Sequence, residues 1–594
     1  MEIDIEAGTQ QETNVSGDSF VSRLTLEHAL YGAVILIGVI TRLLGLGKIP
    51  LSPAEATQAL AVWNAWQPGA EALAVVSPAY HALTSPLTQL LGFGDAVMRL
   101  VPSVFGIAVI LLPWWLRSFT GRLGALIAAL LIAVSPIFVI SSRTVGGTSI
   151  ALFAGFLLFV GWLNFQSTNR KNWFYINGFA LGLGLASSEL FYSILVTLGA
   201  AWLGQIILGP SLFKDELGNR RPSYKPDPST LRNSALMALG TFLFVGSGFL
   251  LSMGGIGGAT RIFAEWITSF FGTVAVQDWL RPLSAFIRYE LIVVLVGGMA
   301  IIWATWRAKS FPMMLLYWFV AALILLFLQR SVMTNTLVLS LAGFLLIGAF
   351  VDAVFRVKTG ALKWLVALVV ALLGSVIYVN LGRFSRLLAS DIALDVQTRS
   401  YHILLIFVAV AVILIVLAIL WSSERRAAVQ GLLVGLVLLL VGYSWSTAIW
   451  LSTEAANDPR EPWVQSASDD DIRLLTSTIQ QVSWQVKGSE VDLDIYSTID
   501  NPSLNWYLRE MKGLELGDGI SPSIEASGLL TEVIAEPQLA NEYIGIELGY
   551  SRPEGDYPLS PSQLLAWWLF HDAQLPIIEE RLIFWLQSDL AGVN

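Results

Sequence analysis

The chain has 594 residues, 55% hydrophobic and only 13% charged, about half the charged share of an ordinary soluble domain, so water is not its main solvent. Its net charge of −9 is divided: residues 451–594 carry 24 Asp+Glu against 7 Lys+Arg, or −17, leaving +8 for residues 1–450. The acidic part would be repelled by nucleic acid or an anionic headgroup surface, and the lack of any cysteine excludes disulfides, thiolate chemistry and Cys-ligated zinc.

The first 25 residues are polar and mildly acidic, without a basic segment leading into a short apolar core, so no cleavable signal is expected and residues 1–27 read as a cytoplasmic segment. Apolar runs then recur from Ala29 to Trp450, each of about 18 or more residues and so able to cross roughly 30 Å of hydrocarbon as a helix. They predict thirteen spanning helices, near 28–46, 97–116, 123–141, 145–165, 173–187, 190–208, 233–252, 290–306, 311–328, 335–355, 363–379, 402–421 and 428–450. An outer-membrane barrel does not fit, because stretches such as Ile403 to Trp421 are apolar on every face instead of alternating. The fold class is an α-helical polytopic membrane protein over 28–450 with a C-terminal soluble α/β domain over 451–594.

With the N-terminus in the cytoplasm, every second connection is basic: Arg117/Arg122, Arg170/Lys171, Lys214 to Arg232, Arg307/Lys309, Arg356 to Lys363 and Arg425/Arg426. Thirteen crossings then export the acidic C-terminal domain. The pattern holds if Ser187-Ser188-Glu189 is a turn between the fifth and sixth helices. The external connections 47–96, 253–289 and 380–401 are long enough to hold helices of their own, and long loops on one face usually carry function. In the first, Ala59, Leu60, Trp63 and Trp66 recur at helical spacing, which predicts a helix in the membrane interface with its tryptophans at headgroup depth. The Gly254 to Gly258 run reads as a flexible hinge. In the tail, a helix is predicted from Asp469 to Trp484, a strand over Val491 to Thr498, a short helix over Leu504 to Met511, and strands near Leu529 to Ala535 and Tyr543 to Gly549.

Charges at helix ends near hydrocarbon need a reason, and Arg42, Glu55, Arg99, Arg143, Glu189, Arg288, Glu290 and Arg330 all fall on one face. Glu55 fits an acid in the first turn of the interface helix, favoured by the helix dipole, and otherwise a general base or polar anchor at a cavity mouth. Arg143 fits recognition of a phosphate, or a helix-end arginine snorkelling to the interface. Arg288-Tyr289-Glu290 fits a diphosphate-and-sugar contact, or a local pair capping the eighth helix. The four histidines are scattered without ligand spacing, so no metal site or cofactor is expected. There is no GxxxxGK[ST] loop, no GxSxG elbow and no pair of broken helices in two matching halves as in a transporter.

Arg42 followed by Pro50-Leu51-Ser52-Pro53-Ala54-Glu55-Ala56, then Asp95-Ala96-Val97-Met98-Arg99-Leu100-Val101-Pro102-Ser103-Val104-Phe105-Gly106, then Ser135-Pro136-Ile137-Phe138-Val139-Ile140-Ser141-Ser142-Arg143, form an ordered set. The set resembles the R…P…DEA, RLPSALFG and SPFFVYYSR signatures of the C-type glycosyltransferases, family 39, which includes protein mannosyltransferases and lipid A aminoarabinose transferases. Tyr289-Glu290 and Asn505-Trp506-Tyr507-Leu508-Arg509 are similar to the prokaryotic branch named for association with flippase activity. The resemblance implies an external cavity where a sugar is taken from a polyprenyl phosphate and passed to a glycan, lipid or protein acceptor. It casts Glu55 as catalytic and Arg42, Arg99, Arg143, Tyr289 and Glu290 as substrate-binding. The chain departs from the family at Ala54, where an aspartate is expected, and in Thr144 to Thr148, which holds no acid. The alternative is a glycosyltransferase-like scaffold or lipid-binding subunit without catalysis, working with other membrane proteins.

Overall fold

A computed structural model of the protein describes residues 25–67, 76–208, 224–250, 254–272, 276–307, 309–389, 396–534, 539, 541–555, 561–572 and 576–590. Most of the segment 1–27, and Lys214, Arg220 and Arg221 of the basic connection, lie outside the described residues. The bundle begins with α1 (Leu26–Leu43) and enters a long loop holding α2 (Pro53–Asn64) and α3 (Pro78–Leu91). A short α4 (Asp95–Met98) leads through Arg99 into α5 (Leu100–Leu111), and a tighter turn joins that to α6 (Arg117–Thr120). Next come α7 (Arg122–Val134), α8 (Pro136–Arg143), α9 (Thr148–Thr168), α10 (Lys171–Leu185), α11 (Leu190–Ile207) and α12 (Pro228–Gly246). A second long loop holds α13 (Gly254–Thr268) and α14 (Val276–Tyr289), followed by α15 (Gly298–Arg307), α16 (Ser310–Leu328), α17 (Asn335–Phe355), α18 (Leu362–Ala389), α19 (Val396–Ser423) and α20 (Arg425–Thr453).

All thirteen predicted stretches contain helix. Among the described residues nine helices are long and apolar enough to cross a membrane, eleven if two bent pairs each count as one span; α10, with 15 residues, and α12 fall outside that group. The centre is α17, where nearly every residue from Asn335 to Ala349 is buried. The periphery is α19, whose Phe407, Leu414 and Ile419 lie exposed, as suits a helix facing hydrocarbon rather than protein.

The predicted turn at Ser187-Ser188-Glu189 separates α10 from α11. Other expectations need correction. The third helix is two: a proline nitrogen has no hydrogen to donate and its ring clashes with the turn before it, so the chain bends by 55° between α7 and α8, with Ser135 capping the new helix by accepting from the Phe138 N–H at 3.3 Å. A second bend, of 91°, joins α14 to a wide helical turn at Val293–Gly297. The Gly254 run is no hinge but the first turns of α13, where a Cβ on Gly255 would stand 2.1 Å from the Gly246 carbonyl oxygen; its glycines permit close helix packing. The third loop, 380–401, is mostly the prolongation of α18 and α19, with 390–395 outside the described residues. Finally, α2 does not lay its apolar face on a membrane surface. Ala56, Ala59 and Val62 are buried against Tyr80 of α3, Met98 of α4 and Trp506 of the C-terminal domain.

That domain holds β1 (Ala467–Ser468), α21 (Asp471–Lys487), β2 (Asp494–Ser497), α22 (Pro502–Tyr507), β3 (Gly513–Leu516), β4 (Gly528–Glu532), β5 (Tyr543–Arg552), α23 (Pro561–Phe570) and β6 (Glu580–Gln587). One sheet runs in the order β1-β5-β6-β4-β2-β3, parallel among β3, β2 and β4 and antiparallel elsewhere. Ile472, Leu475 and Ile479 of α21 pack on Leu493, Ile495, Leu530, Leu548 and Phe584.

Candidate functional site

Residues 44–50, which lead out of α1, belong to no helix or strand, so their carbonyls need other partners. Arginines supply them, since one guanidinium offers five N–H donors in a fixed fork. Arg143, ending α8, donates to the carbonyls of Thr41 (3.1 Å), Arg42 (3.2 Å), Leu44 (2.9 Å) and Gly45 (3.2 Å). Arg99 donates to Leu46 (3.2 Å), Ile49 (2.7 Å) and Pro50 (3.1 Å). From the C-terminal domain, Arg473 donates to Gly47 (2.9 Å) and Lys48 (2.5 Å). The segment is a strap gripped by three arginines from three parts of the chain.

Glu55 stands behind the strap. Ser52 caps α2, and Glu55, three residues on, reaches back to accept from the Ser52 N–H at 3.0 Å, forming a capping box. Its carboxylate also takes Arg99 side-on, at 2.9 Å from Nε and 2.7 Å from Nη2, and the Val145 N–H at 2.9 Å. Four donors occupy the four acceptor positions of a carboxylate, and the residue is 5% exposed. A general base needs a lone pair directed at the proton it removes; in this structure the Glu55 carboxylate is engaged in holding Arg99, α2 and the α8–α9 turn together. All five donors of Arg99 are engaged as well.

Between these parts lies a cavity of about 260 Å³. The strap and the start of α2 form one wall, Ala54 included; Ser141, Arg143, Val145 and Thr148 come from the α8–α9 turn, and Met333 and Thr334 from the approach to α17. The linker from α20 to β1 forms the remaining wall with Asn457, Trp463, Gln465 and Ser466. Among the described residues its only charged lining groups are Glu55, Arg99 and Arg143. As the first two neutralise each other, Arg143 leaves the cavity with one net positive charge.

Glu55, Arg99 and Arg143 thus come together, while Arg42, Tyr289 and Glu290 do not border the cavity. Arg42 is fully buried and donates to the Ile132 (3.0 Å) and Ala133 (3.1 Å) carbonyls, the last turn of α7 laid open by the bend at Ser135. Glu290 accepts from the Ser135 hydroxyl and so joins the two bends. Tyr289 donates to Glu461 at 2.6 Å, and Arg288 pairs with the same carboxylate. The partner of Arg288 is therefore Glu461 of the linker and not its neighbour Glu290. Burial raises the Glu461 carboxyl above the usual range, against the pull of Arg288. His571, whose Nδ1 accepts from Arg288 Nε at 3.1 Å, is pushed down to about 3, first by burial and then by that guanidinium.

Sequence reasoning missed the linker and the docking role of Asp95, the first residue of the second motif. Asp95 receives Trp506 Nε1 (2.9 Å), the Tyr507 hydroxyl (2.7 Å) and Arg473 (2.6 Å), and so docks the C-terminal domain on the first loop. Burial, then Asp95, pushes the Tyr507 hydroxyl above its usual range. Pro459 and Pro462 mark the linker as non-helical, yet nothing in its letters says that it faces a cavity.

Residues 75–212 match the family described as Dolichyl-phosphate-mannose-protein mannosyltransferase, a stretch that contains Arg99 and Arg143. No curated protein matches the chain. Among solved structures, the chain is similar to ArnT from Cupriavidus metallidurans bound to undecaprenyl phosphate, with 14% identity, a TM-score of 0.51, and coverage of 95% of this chain and 98% of that one. The apo form of the same ArnT gives 13% identity and a TM-score of 0.52 at the same coverage. The chain is a multi-pass membrane protein that shares the fold of that ArnT.

Proposed function

We propose that the cavity binds the phosphate of a polyprenyl-phosphate-linked sugar through Arg143, and that the protein transfers the sugar to a glycan, lipid or protein acceptor outside the cytoplasm. The observation that carries this reading is the single uncompensated cation in a polar cavity of a fold shared with an undecaprenyl-phosphate-binding structure. The alternating basic connections support an N-terminus inside and a C-terminal domain outside. Glu55, Arg99 and Arg42 then act as positioning residues, and Tyr289 and Glu290 hold the linker and the helix bends. In the transfer, the bond from sugar carbon to phosphate oxygen breaks and the acceptor oxygen bonds to that carbon. With Glu55 occupied, the acceptor proton passes to the leaving phosphate.

The test is the purified protein in lipid nanodiscs with undecaprenyl phosphate carrying different sugars. Transfer or release of undecaprenyl phosphate is expected, with Arg143→Ala weakening lipid-phosphate binding by about tenfold or more. A second reading rests on a specific observation: the one carboxylate among the described lining residues has no free acceptor position. A non-catalytic lipid-phosphate subunit would bind the lipid tightly, turn nothing over and copurify with other membrane proteins. No binding of either lipid would sink both readings.

A further inference from the structure

Resting on the donor-site reading above, we propose that the linker between α20 and β1 is the sugar-recognition wall of the cavity, and that the sugar it takes is uncharged. The two walls differ in what they leave open. On the strap side every donor of Arg99 and every acceptor position of Glu55 is satisfied within the protein. On the linker side, among the described residues, the amides of Asn457 and Gln465 and the indole N–H of Trp463 have no protein partner. Thr334, also lining the cavity, has a hydroxyl likewise unpartnered.

An amide both donates and accepts, as a sugar hydroxyl does. Trp463 offers a flat apolar surface to the C–H face of a sugar ring and a donor at its edge. The platform is held from behind by one helix: Arg288 and Tyr289 of α14 grip Glu461, while Arg281 donates to the carbonyls of Pro462 (2.8 Å) and Val464 (3.0 Å). The residues on both sides of Trp463 are therefore fixed before a ligand arrives, which lowers the entropy lost on binding. Charge selects the sugar. Arg143 answers the phosphate, whereas an ammonium group on the sugar would find no free carboxylate among the lining residues and would lose its hydration uncompensated.

The experiment measures equilibrium binding to the full chain in nanodiscs of three probes: undecaprenyl phosphate alone, the same lipid carrying neutral mannose, galactose or arabinose, and the same lipid carrying aminoarabinose. At least one neutral sugar should tighten binding over the bare lipid, and aminoarabinose should not. Trp463→Ala should abolish that gain, about tenfold, while bare lipid stays within about twofold; Trp463→Phe, which keeps a ring, should retain most of it. Equal effects of Trp463→Ala on bare and sugar-bearing lipid, no effect on either, or a gain for aminoarabinose matching the neutral sugars overturns the proposal and leaves the phosphate site standing. Failure of the wild type to bind even the bare lipid overturns the donor-site reading itself.

Discussion

Glu55 commits both carboxylate oxygens to groups that would otherwise be stranded in a nearly dry place. Glu55→Gln would present an amide to donors and leave the Arg99 guanidinium, 6% exposed, without its counter-charge. Breaking a buried pair from one side costs about 3–5 kcal/mol, so the variant should show a lowered thermal midpoint in detergent and faster protease cleavage in the first loop. A Glu55→Gln variant as stable as wild type but inactive would return Glu55 to the role of base. Sequence reasoning could find Arg99 and Arg143, since charges near hydrocarbon are few and each stands out. It could not find their carbonyl partners, because the strap's contribution is backbone, and every residue has that. For the same reason it could not show that Arg42 closes the exposed end of α7.

Two bends shape the bundle beside the cavity, and one pair of side chains joins them. Ser135 caps α8 and donates to Glu290, whose other carboxylate oxygen is buried without a partner. Ser135→Ala removes the cap, about 1 kcal/mol, and leaves a buried acceptor unsatisfied, a further 1–3 kcal/mol or so. A total loss of about 2–4 kcal/mol is expected in detergent unfolding, with Ser135→Ala and Glu290→Gln non-additive in a double-mutant cycle; strict additivity would show that the contact does not couple them. The bend was written in Pro136 from the start, but the apolar run through it reads as one helix. The amphipathic reading of α2 was right about the helix and wrong about what covers it, since Trp506 stands 450 residues downstream of Ala56 in the chain.

Composition alone divides the chain near residue 450, and the structure places the end of α20 at Thr453. What composition does not carry is how firmly the two parts are joined. One junction is the buried group of Arg288, Glu461, Tyr289 and His571, with His571 stacked on Trp450 at 4.5 Å. The imidazole is held neutral: its value in the folded protein lies near 3, below the ordinary 6.5. A depressed folded value means that the stability is fully present above about pH 6.5 and is lost as the pH falls below it, by up to about 1.4 kcal/mol per pH unit. Thermal midpoints should therefore drop between pH 7.5 and 5, and His571→Gln should flatten that dependence. An unchanged slope in the variant would assign the acid sensitivity to other groups.

The strap has one more consequence, which concerns time. The Leu51 N–H donates to the Tyr507 hydroxyl at 3.0 Å, the Leu51 carbonyl accepts from Ser468 at 2.6 Å, and Gly47 and Lys48 wait for Arg473. Contacts between residues so far apart in sequence form late, because a long loop must close before they contribute. Synthesis runs from the other end, so the first loop leaves the ribosome some four hundred residues before the groups that finish it. A chain stopped after α20 would own every described helix of the bundle and still lack a closed chamber, for a part made later is the one that completes the first.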